Sequence, residues 1–189
     1  MFYWGMSDTP WLADALRDAK HTANLQAALG PRRHRPDWDE YALVLAYAAT
    51  IRSEDLHRAV GACALRHDHS VAGVGYNGAL PGRTIDWTDR EERLKEAIHA
   101  EVNCLAYCHP GECGLIAVTT LPCNDCLKLI ARYGIKRVIF GETYERDESS
   151  LEKAKRFGIE LRQIRLSQGQ PQSPACEQSS PAGGVETSQ

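Results

Sequence analysis

The chain has 189 residues, enough for one domain or one domain with tails. Hydrophobic residues make up 43% and charged residues 25%, so a core can form without metal or disulfide staples. A net charge of -3 excludes a strongly basic nucleic-acid binder, which needs surplus Lys and Arg, and also a polyanionic solvating chain.

The segment before Asp37 carries a helical pattern over residues 10–29 (Leu12, Ala15, Leu16, Ala19, Ala23, Ala27), which stops at Gly30-Pro31. The basic stretch Arg32–Arg35 then reads as an exposed link. Residues 1–36 are therefore expected to be an extension bearing one helix, a candidate contact between copies of the chain. Asp37 or Asp39 is placed to cap a helix running to about Arg52, with Tyr41, Leu45, Ala48 and Ala49 on one face. The longest mostly apolar run, Tyr41–Ile51, is too short to span a bilayer. With no basic-then-apolar pattern at the N-terminus, a cytoplasmic setting is expected.

Val60–Leu65 and Ser70–Tyr76 alternate and include β-branched residues, which predicts a strand pair around His67-Asp68-His69. Asn77-Gly78 opens a loop through Pro81-Gly82. Glu91–Tyr107 is helical in character, and Leu115–Thr119 is a strand. A helix over Pro122–Tyr133, a strand over Val138–Phe140, a helix over Ser149–Phe157 and a strand over Ile159–Ile164 complete the core. A hairpin followed by alternating helix and strand indicates an α/β sheet with helices on both faces. The catalytic domain is expected over 37–166. Residues 167–189 contain no Lys, Arg or aromatic side chain and are expected to be a disordered tail.

The seven cysteines are Cys63, Cys104, Cys108, Cys113, Cys123, Cys126 and Cys176. An odd count without an export pattern favours free or metal-bound thiols over a disulfide framework. Cys63 and Cys104 lie in apolar surroundings and read as core. Cys108, His109 and Cys113 read as a loop with unpaired thiols, and Cys176 falls in the tail.

The chemistry lies in two short segments, His99-Ala100-Glu101 and Pro122-Cys123-Asn124-Asp125-Cys126. Cys123 and Cys126 are three apart, so on a helix they share one face. Pro122 suits a helix start, where the dipole favours the thiolate that zinc needs. His99 adds an imidazole from a second helix start. Three protein ligands leave the fourth zinc position to water, whereas a structural site fills all four. Glu101 is two residues from the histidine, placed to move a proton from the activated water to a ring nitrogen and the leaving ammonia. The order H-x-E…P-C-x-x-C is the recorded signature of zinc nucleobase deaminases.

On these residues the chain resembles the cytidine/deoxycytidylate deaminase superfamily, and more narrowly its deoxycytidylate (dCMP) branch. The likeness runs from Trp38 to Ile164. It includes Arg52-Ser53, Val60-Gly61-Ala62-Cys63, Gly75-Tyr76-Asn77-Gly78, the two zinc segments, Gly134–Ile139 and Glu142-Thr143-Tyr144. The resemblance implies a three-layer α/β/α fold with a mixed five-stranded sheet. It implies one catalytic zinc per chain and hydrolytic deamination of dCMP to dUMP, which feeds thymidylate synthesis. It also implies that Asn77 binds the sugar, that Arg52 and Ser53 meet the phosphate and that Tyr144 closes the pocket. Backbone at Thr120 and Leu121 would face the pyrimidine edge. The implied partner is a small nucleotide, with no stable nucleic-acid or membrane partner, in a homo-oligomer. Alternatives are a 5-substituted dCMP or dCTP as substrate, deamination of a nucleic acid or another base, and a non-catalytic zinc scaffold. Two departures stand out: proline falls at position 81, one place late in the loop, and only twenty residues separate Gly78 from His99.

Overall fold

The computed structural model describes residues 35–143 and 148–165. The helix expected over 10–29, Tyr144, and the tail with Cys176 lie outside the described residues. Five strands form one sheet: β1 (Gly61–Arg66), β2 (Val71–Tyr76), β3 (Cys113–Thr120), β4 (Arg137–Glu142) and β5 (Glu160–Gln163). Their order is β2-β1-β3-β4-β5. β1 pairs antiparallel with β2 and with β3, while β3–β4 and β4–β5 are parallel, so the sheet is mixed as expected. The described helices are α1 (Trp38–Ala49), α2 (Arg90–Glu96), α3 (Ala100–Leu105), α4 (Asn124–Arg132) and α5 (Glu148–Arg156). No described helix is long and apolar enough to cross a membrane.

Strand alternation divides the core in two. Ala62, Ala64, Ile116, Val118 and Val138 face α3, α4 and α5, where they pack with Cys104, Leu105, Leu127, Ile130 and Ala154. Cys63, Leu65, Leu115, Ala117 and Ile139 face α1 and meet Ala42, Leu43, Ala46 and Tyr47. This is the three-layer α/β/α arrangement, with α1 alone covering one face among the described helices.

α1 starts at a capping box: Asp37 Oδ1 accepts the Glu40 amide at 2.8 Å, and Glu40 Oε2 accepts the Asp37 amide at 2.9 Å. Its end differs from expectation, because the α-helix stops at Ala49 and a 3-10 turn, Thr50–Arg52, carries the chain on. Its buried face differs too. Ala42, Leu43, Ala46 and Tyr47 meet the sheet; of the expected face, Ala49 is buried and Leu45 is half-buried against this core, while Ala48 is half-buried and Tyr41 is exposed. The helix is apolar almost all round, so periodicity alone did not choose the side. Asp39, buried on α1, fixes the choice by pairing with Arg137 of β4 (3.0 Å) and Arg162 of β5 (2.5 Å).

The span read as helical from Glu91 to Tyr107 is two helices. Ala97 and His99 are extended, and Ile98 makes an isolated antiparallel bridge to Gly78. The bridge overrides a locally helical sequence. Cys63 and Cys104 are fully buried, as expected. Cys108 lies in a loop with a free thiol, as expected, whereas Cys113, also free, opens β3; both are buried in the core with α3.

Candidate active site

His99 is the N-cap of α3 and Cys123 the N-cap of α4, each with extended backbone and neither capping its helix through its side chain. These residues lie on either side of β3, so the βα crossover brings both side chains to one end of the sheet. Cys126, one turn into α4, completes the group. His99 Nδ1 stands 3.5 Å from Cys123 Sγ and 3.3 Å from Cys126 Sγ. All three donor atoms lie within 4.8 Å of one another, and no other described group of three or more metal-type side chains is so close.

The donor set fits zinc. Ligands about 2.0–2.1 Å (N) and about 2.3 Å (S) from a tetrahedral ion stand about 3.5 Å apart, close to the two separations here. His99 is exposed, Cys123 half-buried and Cys126 buried, so the group opens to solvent on the histidine side. Within the protein alone, the hydrogen bond from Cys126, helped by His99, holds the Cys123 thiol down at about 3. Cys126 is pushed up by sharing its proton with Cys123 and by burial. The Cys123 contact also raises the His99 imidazole.

Glu101, on the first turn of α3, is 4% exposed. Burial pushes its carboxyl above the usual carboxylate range, against its backbone amide and His99, and its side chain meets Cys126. A buried acid beside an open three-donor group can hold a proton and pass it to a molecule bound there.

The remaining candidates occupy the loop after α1 and the ends of β2 and β3. Arg52 is exposed, and among the described residues it meets no carboxylate; its guanidinium lies 5.9 Å from the Tyr76 ring centroid. Ser53 Oγ donates to Asn77 Oδ1 at 2.7 Å. Asn77 is buried at the end of β2, with its amide engaged by Ser53, Asp55, Arg58 and Val60. Thr120 closes β3, and Leu121 is buried with its amide donated to Glu142 O at 2.8 Å. Sequence reasoning missed Asp55, whose carboxylate joins this loop to Asn77. The Asp-x-His-Arg order does allow an Asx turn, but its long-range partner has no local signal.

Fold and donor set together define a mixed-sheet α/β/α protein with a zinc-type centre. The family model described as "cytidine and deoxycytidylate deaminase zinc-binding region" matches residues 36–142, and the chain belongs to that family. Deoxycytidylate deaminase of Mycobacterium phage D29 is 38% identical over 124 residues, covering 56% of this chain and 95% of the relative. The Homo sapiens deoxycytidylate deaminase is 33% identical over 115 residues, 55% of this chain. The match spans 64% of the human protein, just under two thirds of its length. Among solved structures, the dCMP deaminase of cyanophage S-TIM5, in complex with dCMP and dUMP, superposes with a TM-score of 0.60. It is 23% identical, covering 70% of this chain and all of that one, and it supports the fold.

Proposed function

We propose that the chain is a zinc-dependent hydrolase that converts dCMP and water to dUMP and ammonia. The observation that carries this reading is Glu101, a buried acid set against the open His99–Cys123–Cys126 group. The relatives named deoxycytidylate deaminase and the S-TIM5 enzyme's complex with dCMP and dUMP support the substrate class.

His99, Cys123 and Cys126 would hold one ion per chain. When bound, zinc supplies the polarisation that makes water nucleophilic near neutral pH. Glu101 would pass one proton of the attacking water to cytosine N3 and then the remaining proton, from the hydroxyl on C4, to the exocyclic amine, which leaves as ammonia. Water adds at C4, the bond from C4 to the exocyclic nitrogen breaks, and the carbonyl of uracil remains. Arg52, exposed and meeting no carboxylate among the described residues, is the proposed phosphate contact, with Ser53 beside it. Asn77, with its side-chain amide engaged within the protein, serves the sugar end by holding the loop beside it; backbone at Thr120 and Leu121 would face the pyrimidine edge, and Tyr144 is proposed to close the pocket over the base or sugar. The net charge of -3 favours a small nucleotide over nucleic acid. The exposed Trp38 and Tyr41 on the outer side of α1 support a homo-oligomer.

The test is a substrate panel on the zinc-loaded full chain: dCMP, 5-methyl-dCMP, dCTP, deoxycytidine, guanine and tRNA, followed by ammonia release. The highest kcat/KM is expected for dCMP. No turnover of dCMP with zinc in place overturns the proposal, and a higher value for another member reassigns the substrate.

A further inference from the structure

We propose that Asp55 is a positioning residue for substrate recognition, fixing the segment that carries Arg52 and Ser53 at a set distance from His99; this rests on the nucleotide reading above. The loop over 53–60 has no regular secondary structure, so its shape depends on side-chain contacts. The Asp55 carboxylate accepts three hydrogen bonds there. Its Oδ1 accepts the amides of His57 (2.9 Å) and Arg58 (3.1 Å), which turns the loop on itself. Its Oδ2 accepts Asn77 Nδ2 at 3.2 Å. Arg93 of α2 stands 4.0 Å from Oδ1, and the Asp55 side chain is only 9% exposed.

Asn77 carries the connection onward. Its second Nδ2 proton goes to Arg58 O at 2.9 Å, and its Oδ1 accepts Ser53 Oγ and Val60 N, both at 2.7 Å. Both donors and both acceptor sites of the amide are then engaged. The next residue, Gly78, exchanges two backbone hydrogen bonds with Ile98, at 3.1 and 2.9 Å. Ile98 immediately precedes His99. A short run of bonds and covalent links therefore leads from Ser53 through Asn77 and Gly78 to the first zinc ligand, and Asp55 is the charged acceptor that braces it at Asn77 and along the loop. Hydrogen bonds to a carboxylate are stronger than neutral ones, so losing this group frees the loop while leaving the three zinc donors untouched.

Zinc-loaded wild type, Asp55→Asn and Asp55→Ala would be compared for zinc content, for kcat and KM with dCMP and with deoxycytidine, and for amide hydrogen exchange over 53–60. The exposed neighbour change Glu54→Ala is the control. For Asp55→Ala, KM for dCMP is expected to rise at least about tenfold with kcat within about threefold and zinc retained. Deoxycytidine, which has no phosphate, should be affected much less, and exchange at His57, Arg58 and Val60 should quicken. Asp55→Asn keeps the shape and should recover part of the KM. An unchanged KM, or a loss of zinc and kcat alongside the rise in KM, overturns the proposal. If wild type fails to turn over dCMP, the functional reading falls. The exchange measurement then still decides whether Asp55 holds the loop, and unchanged exchange overturns that.

Discussion

Gly75 lies directly beneath Cys104. A Cβ built on Gly75 would overlap the Cys104 amide nitrogen and come within 2.5 Å of Ala100 O, so β2 and α3 touch backbone to backbone. That contact sets the height of α3, and with it the position of His99 and Glu101. Gly75→Ala has no room, because its obstacles are main chain. A destabilisation of about 1–3 kcal/mol is expected from overpacking, with lower zinc occupancy and turnover. Thermal melts and metal analysis would show it, and a variant with wild-type Tm and zinc content would contradict the account.

Glu101→Gln should separate metal binding from proton transfer. The amide fits the same buried space and leaves the three donors in place, but it carries no exchangeable acid proton. Zinc content near wild type and a fall in kcat of about 10²–10⁴-fold are expected. Retained turnover would remove Glu101 from the proposed mechanism.

The cysteines should differ sharply in reactivity once zinc is stripped. A thiol held down at about 3 is ionised throughout pH 5–8, so alkylation of Cys123 by iodoacetamide should be nearly flat with pH. An ordinary thiol, near about 8.5, would gain roughly tenfold per pH unit over that range. Cys63, fully buried and pushed up to about 12, should remain unlabelled in the folded protein. Adding zinc should protect Cys123. Peptide mapping at several pH values reads this directly, and a steep climb in Cys123 labelling between pH 5 and 7 would contradict it.

Asp39→Ala removes the acid that ties α1 to β4 and β5. Arg137 and Arg162 are about two-fifths and half exposed, so they regain water and the loss is smaller than for a fully buried pair. About 2 kcal/mol is expected, or a Tm lower by roughly 5–10 °C for a domain of this size. A melt within about 1–2 °C of wild type would show that packing and the remaining Asp37–Arg162 pair are enough to hold α1.

The zinc group was legible in the sequence because its determinants are local. Three-residue spacing in a helix and a proline before the first cysteine specify a shared face without knowledge of the fold. The strands were legible for the same reason, since Val60–Leu65 and Ser70–Tyr76 alternate. What escaped was set by partners distant in the chain. The side of α1 that meets the sheet depends on Asp39 finding Arg137 and Arg162, about a hundred residues or more away. The break before His99 depends on Gly78 bridging to Ile98. Cys108 and Cys113 are buried because the end of α3 and the start of β3 converge, which their spacing does not reveal. Asp55 and Asn77 are 22 apart, and neither residue type announces the other.

The bridge between Gly78 and Ile98 has one more consequence. All three metal donors and Glu101 come from one continuous α3–β3–α4 unit, whereas Arg52, Ser53 and Asn77 come from segments that precede it in the chain. Between the Asn77 turn and His99, the described backbone link is the pair of hydrogen bonds at Gly78 and Ile98. Under the proposed function, the phosphate-side contacts and the metal donors thus sit on separate segments, while Thr120 and Leu121 at the end of β3 belong with the donors. Exchanging or lengthening the loop over 53–60 would then change how the phosphate end is held and leave the three donors in place.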